Sequence, residues 1–163
     1  MKMRIVLSIL LLCVALLPGV ANAAPSQPIN PPCTEMNGTF AFTQFYFTNA
    51  TTAVGVGKVF RNGQEIGTFN ANYTNIDQKG QGVTQLNGAH TLTLANGTLT
   101  TSDEIHLQAA PNGSTVLRAN SRLYIVAGTG EYAEATGLLH THGAFDFVTL
   151  EGRIAFDGQL CVP

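Results

Sequence analysis

Residues 126–137 read VAGTGEYAEATG, and whether they hold a phosphate or only turn the chain decides the fold class. Gly128, Gly130 and Ala133 match G-x-G-x-x-A and follow an apolar, strand-like run, RLYIV at 122–126. A dinucleotide-binding loop needs a helix of about ten residues or more after the glycines, its N-terminus facing the pyrophosphate, and then a crossover to a parallel strand. Here only EYAEA, residues 131–135, separates the glycines from Gly137, which starts another strand-like run. Glu131 and Glu134 would put negative charge where the phosphates sit, and no βαβ pattern flanks the segment. The segment therefore reads as a turn. Gly128 and Gly130 supply positive φ, EYAEA makes one short helical turn that plugs or caps a sheet, and Gly137 marks close backbone packing.

Outward from this turn the chain shows two-residue alternation broken by turn dipeptides, with no helical period of useful length. The runs are 38–47, 54–60, 66–76, 82–94, 98–108, 114–127, 137–150 and 151–160. Asn62-Gly63, Gly80, Asn96-Gly97 and Pro111-Asn112-Gly113 punctuate them, as hairpin chemistry requires. About eight short strands at this spacing predict an all-β sandwich or barrel. Seventeen glycines and a charged fraction of 11% fit the same class. A closed antiparallel meander is favoured, because closure leaves no unpaired edge. In the first run, alternation puts Phe40, Phe42 and Tyr46 on one face and Phe45 and Phe47 on the other.

The N-terminal stretch 1–23 has Lys2 and Arg4, an apolar run from Ile5 to Leu17, Pro18-Gly19, and Ala21-Asn22-Ala23. These are the three regions of a secretory signal peptide, and the run is shorter than the roughly 20 residues that span a bilayer. A retained anchor and a lipoprotein signal are the alternatives, but Cys13 lies inside the apolar run rather than at a lipid-attachment site. Cleavage after Ala23 leaves 140 of the 163 residues: an extended, proline-rich lead at 24–32 and one domain at 33–163. The expectation is an exported protein, extracellular or periplasmic, with no membrane anchor after cleavage. Six basic against ten acidic side chains then remain, so there is no footprint for nucleic acid. Cys33 and Cys161 survive cleavage, and an even count in an oxidising compartment reads as a disulfide. Two free thiols or an intermolecular bridge are the alternatives. Five Asn-x-Ser/Thr sequons, at Asn37, Asn49, Asn72, Asn96 and Asn112, would be glycosylated in a eukaryotic secretory pathway.

The sequence Gly128-Thr129-Gly130, then Tyr132, Ala133, Ala135, Thr136 and Gly137, following SRLYIVA, resembles the allene oxide cyclase and dirigent-like barrels. The likeness covers about a dozen residues and extends with the strand count through the C-terminal half. It implies an eight-stranded antiparallel β-barrel with a cavity, often trimeric. In the family that cavity guides cyclisation or coupling of a small hydrophobic molecule without a cofactor. No catalytic motif of the family matches residue by residue.

Two constellations carry candidate chemistry. His140 and His142, at i and i+2 on a strand, share a face as metal-binding pairs do, with Asp146, His90 and His106 as further candidates. No third ligand stands at a diagnostic spacing, so a metal site, a pocket role and a surface role remain open, and no metal or cofactor is assigned. In residues 99–107, alternation puts Asp103 on one face with Leu99, Ile105 and Leu107. An acid there needs a partner or a proton, and a raised pKa suits a general acid. Arg118, Arg122 and Tyr124 share one face of the next strand and are the candidate partners. A bulge near Asp103-Glu104 that turns the acid outward is the other outcome. The candidate site is thus Asp103, Arg122, Tyr124, His140 and His142. Two functions follow: an exported cofactor-free cyclase or isomerase, or a non-catalytic barrel that binds a small hydrophobic ligand or a protein.

Overall fold

In a computed structural model, residues 32–110 and 114–163 are described. The expected signal peptide and most of the expected lead lie outside the described residues, as does the turn expected at Pro111-Asn112-Gly113. Eight strands run β1 (Cys33–Asn49), β2 (Thr52–Arg61), β3 (Gln64–Gly80), β4 (Val83–Leu94), β5 (Gly97–Ala109), β6 (Val116–Gly128), β7 (Thr136–Asp146) and β8 (Gly152–Cys161). Each pairs antiparallel with the next, and β1 pairs with β8, so the meander closes into a barrel with no free edge. Cys33 faces Cys161 across that seam and the two are joined by a disulfide.

Local chemistry explains the corners. Asn62 and Gly63 sit at φ 51° and 79°, the two left-handed positions that a two-residue hairpin needs. The GTG segment is indeed a turn, differing in detail from its sequence reading. Its single 3-10 turn is Gly130–Tyr132 and not EYAEA, because Ala133 already leaves the helix at ψ 134°. Gly130 (φ 63°) and Gly137 (φ 151°) are left-handed, but Gly128 is not. Gly128 is required for space instead: a Cβ there would lie 2.0 Å from the Tyr132 carbonyl oxygen. The loop is tied to the β4–β5 turn, with Glu131 N–H donating to the Asn96 carbonyl (2.9 Å) and Thr129 N–H to that of Thr98 (2.9 Å). It caps one end of the barrel.

Alternation decides what faces inward, except where a bulge resets it. The β1–β2 register slips between Phe42 and Gln44. One extra residue reverses every later side chain. Phe40 and Phe42 point inward before the slip; after it Phe45 is half-buried on the cavity wall and Phe47, largely exposed, lines the cavity mouth, while Tyr46 is exposed and turned away from the cavity. The expected single face for Phe40, Phe42 and Tyr46 is thereby corrected. The β5–β6 register also slips, between Thr100 and Thr101, but the extra residue there is Val126 on β6, so β5 keeps its own alternation. Leu99, Thr101, Asp103 and Ile105 stay in phase and all are buried.

The two ends of the barrel differ. Toward the GTG loop, Val59, Leu92, Leu99 and Leu139 have no exposed surface and fill the interior. Toward the β1–β2 and β7–β8 turns the barrel is hollow.

Candidate active site

The hollow end holds a cavity of about 550 Å3, within the range that takes a drug-sized molecule. Its wall is mainly aromatic and aliphatic, and among the described residues no Asp, Glu, Lys or Arg side chain lines it. Among the described residues five polar ones are buried in the barrel, namely His90, Thr101, Asp103, Ser121 and Thr141. Three of them, together with Tyr73, form one network at the cavity floor.

The network follows from alternation on three neighbouring strands. Phe69, Ala71 and Tyr73 face inward on β3, Leu86, His90 and Leu92 on β4, and Leu99, Thr101, Asp103 and Ile105 on β5. Asp103 Oδ2 lies 2.6 Å from His90 Nδ1, and His90 Nε2 lies 3.3 Å from the Tyr73 hydroxyl. The His90 backbone N–H donates to Thr101 Oγ1 at 3.1 Å. The hydrogen-bond pattern assigns the tautomer: Nδ1–H donates to the carboxylate, and Nε2 accepts from the phenol. The ring is held between Phe40, stacked at 5.9 Å, and Phe69, tilted at 5.7 Å. Tyr73 and His90 line the cavity, whereas Asp103, with a fully buried side chain, stands behind them.

Gly88 makes this arrangement possible. A Cβ at that position would come within 2.9 Å of Asp103 Oδ2 and 2.8 Å of Ile105 Cδ1. Burial, and secondarily the negative charge of Asp103, push the Tyr73 hydroxyl far above the ordinary phenol value. Tyr73 is therefore a neutral hydrogen-bond donor throughout the physiological range. Asp103 Oδ1 is buried without a hydrogen-bond partner, which makes the carboxylate depend on the one bond to His90.

The structure thus places Asp103 inside and corrects its partner. Arg118, Arg122 and Tyr124 stand on the outer face of β6, because Ser121, Leu123 and Ile125 take the inner one. Arg122 is opposite Glu104, and the Tyr124 hydroxyl donates to Glu104 Oε2 at 3.4 Å, both in solvent. His140 and His142 are likewise outside, since Leu139 and Thr141 face in. His142 is 3.8 Å from Asp157, with both side chains largely exposed. These five residues do not reach the cavity. Asp146 closes the β7–β8 turn instead, its Oδ1 accepting from the N–H groups of Val148 (2.8 Å) and Thr149 (3.0 Å). Its carboxyl is held below the usual range, first by the Thr115 hydroxyl and then by those two amides. Among the described residues, no group of three His, Cys, Asp or Glu side chains converges as metal ligands.

The sequence reading offers His90 only as a further metal-ligand candidate, not as a partner of Asp103 and Tyr73, although a signal for that pairing is present. His90 alternates with Leu86 and Leu92 as Asp103 does with Leu99 and Ile105. A second polar group on a neighbouring inner face is the natural partner for a buried acid.

No protein-family model and no curated protein matches the chain. Solved structures do match. The pterocarpan synthase dirigent protein GePTS1 superposes with a TM-score of 0.52 at 15% identity, covering 91% of this chain and 99% of that one. A pyocyanin demethylase gives 0.50 at 15% identity, over 77% of this chain and 99% of that one. A nonspecific heme-binding cyclase that catalyses a 4 + 2 cycloaddition in neoabyssomicin biosynthesis gives 0.52 at 14% identity, over 82% of this chain and 68% of that one. The likeness establishes the fold: an eight-stranded barrel of the dirigent-like kind.

Proposed function

We propose that this protein is an exported, cofactor-free acid–base catalyst that isomerises or cyclises a small, uncharged, largely apolar molecule inside the barrel. The observation that carries this reading is the Asp103–His90–Tyr73 chain ending at the floor of an apolar cavity. Asp103 fixes the tautomer and orientation of the imidazole, so that Nε2 is the basic atom. Tyr73, kept neutral, donates to a substrate carbonyl or hydroxyl oxygen. A substrate oxygen that takes over the phenolic hydrogen bond frees Nε2 to remove a proton from the carbon made acidic by that contact. Return of the proton to another carbon completes an isomerisation in which atoms and electrons balance without an oxidant or cofactor. The apolar wall excludes water and strengthens both contacts. The cyclase among the solved structures of this fold supports the class of reaction, and the Cys33–Cys161 bridge supports export through cleavage after Ala23. Native mass spectrometry of protein from its source reads the cleavage, any retained ligand and the trimer implied by the family resemblance in one spectrum.

Deuterium incorporation from D2O into a panel of neutral, enolisable ketones tests the catalytic step by NMR. Wild-type protein accelerates exchange in at least one of them. His90→Gln lowers that rate about 100-fold or more, the usual contribution of a positioned base. Asp103→Asn lowers it about tenfold or more, by removing the charge that orients the ring. Binding without any exchange across the panel rejects catalysis and leaves the non-catalytic ligand-binding barrel.

A further inference from the structure

The two buried polar residues outside the floor network are Ser121 on β6 and Thr141 on β7, exposed by 5% and 4%. They stand directly opposite each other in the β6–β7 ladder, and both line the cavity. Among the described residues neither hydroxyl has a hydrogen-bond partner, in contrast to Thr101, which accepts from His90, and Tyr73. Leu117, Ala119, Leu123 and Phe145 surround them on the same wall. Alanine or valine would complete that wall with no polar group to satisfy, whereas each of these hydroxyl oxygens keeps its open surface toward the cavity, where a ligand oxygen can meet it.

The pair lies across the floor from His90. Thr141 is opposite Phe156 in the β7–β8 ladder, Phe156 stacks on Phe40 at 4.6 Å, and Phe40 stacks on His90 at 5.9 Å. An aromatic floor thus separates two polar stations, Tyr73–His90 and Ser121–Thr141. Among the described residues the wall carries no Asp, Glu, Lys or Arg side chain to match a charged ligand.

We infer that Ser121 and Thr141 form a second binding station, and that the cavity takes an uncharged molecule with an apolar, flat body and a hydrogen-bonding oxygen at each end. One oxygen sits on Tyr73–His90, the other on the paired hydroxyls, and the body lies along the aromatic floor. The inference rests on the proposed function only in taking Tyr73–His90 as the first station. Two-point attachment fixes which carbon faces His90, so this station sets the regiochemistry of any reaction there.

The test uses trans-stilbene, 4-hydroxystilbene and 4,4′-dihydroxystilbene as probes, followed by their own fluorescence, which the protein's lack of tryptophan leaves undisturbed. Wild-type protein binds the dihydroxy probe about tenfold or more tighter than stilbene. In the Ser121→Ala/Thr141→Val variant the dihydroxy probe loses about five- to tenfold, while stilbene stays within about twofold, the size expected for one or two hydrogen bonds. Tyr73→Phe weakens both hydroxylated probes. Unchanged dihydroxy affinity in the double variant overturns the second station, as does failure of the dihydroxy probe to outbind the monohydroxy one. A loss in the double variant with no loss in Tyr73→Phe keeps the second station and removes the first, which separates this inference from the catalytic reading. Near-native melting of the double variant confirms that a binding loss is local.

Discussion

The capped end and the open end of this barrel are built from the same strands with the same alternation, yet one is solid and the other hollow. The difference lies in the size and burial of inner residues along each strand. On β2 the inner face runs from Ala53 at the open end to Val59 at the capped end. On β6 it runs from Leu117 and Ala119, both half-buried, to the buried Leu123 and Ile125, and on β5 from the half-buried Ala109 and Leu107 to the buried Leu99. Small or half-buried residues at the open end leave space between the strands that the large buried aliphatic side chains consume at the other. Phenylalanines at the open end, Phe42, Phe45 and Phe145 among them, pack edge-to-face and stacked upon one another along the wall. They lend the wall rigidity and leave the centre free. The polar network sits at the boundary, where a solid floor holds it still and the cavity gives it access. Stability and binding are thus drawn from opposite ends of one sheet.

This division is most strongly challenged at the seam of the capped end. Replacing both cysteines, Cys33→Ser/Cys161→Ser, should lower stability by about 4 kcal/mol, since the bridge closes a loop of 128 residues. Denaturant unfolding measures the loss, and probe affinity in the fraction that remains folded should be unchanged. A loss of binding at full folding would show that the two ends are mechanically coupled.

A paired substitution sharpens the contrast. Leu99→Ala, at a fully buried capped-end position, should cost about 3 kcal/mol through lost burial and a new void. Leu117→Ala, on the half-buried cavity wall, should cost about 1 kcal/mol, because it enlarges a space already present. Equal losses, measured by chemical denaturation, would mean that the open end carries as much stabilising packing as the capped one.

The smallest effect is electrostatic and belongs to the open end. The Asp146 carboxyl is held below its unfolded value of about 3.9, so its contribution to stability is present above that value. It disappears as pH falls through the lower folded value. Asp146→Asn should flatten the acid limb of the stability–pH curve and leave its neutral portion nearly unchanged. Thermal melts from pH 2 to 7 read the difference, and an identical acid limb in the variant would assign acid sensitivity elsewhere.

Much of this molecule is legible along the chain. Alternation and Asn-Gly dipeptides mark the eight strands, and the brevity of EYAEA rules out a nucleotide loop. The same alternation places Asp103 inside. Its partner was out of reach, because His90 is 13 residues away on β4 and joins Asp103 only through the pairing of Gly88 with Asp103. Arg122 and Tyr124 were attractive as neighbours on β6, but the opposite face of that strand, Leu117, Ala119, Ser121, Leu123 and Ile125, is the more apolar one and turns inward. Leu123 and Ile125 decided it once the barrel closed. Phe45 and Phe47 changed sides at a bulge near Thr43, and Phe42 through Phe47 show no glycine or proline to mark it.

The sequence by itself determined strand, turn and closure, since backbone pairing and two-residue periodicity are local and repeat with every hairpin. Only the tertiary structure decided the cavity, the Asp103–His90–Tyr73 chain and the Ser121–Thr141 pair. Each of these depends on register between strands and on the volumes of side chains that meet across the barrel, quantities that no single strand contains.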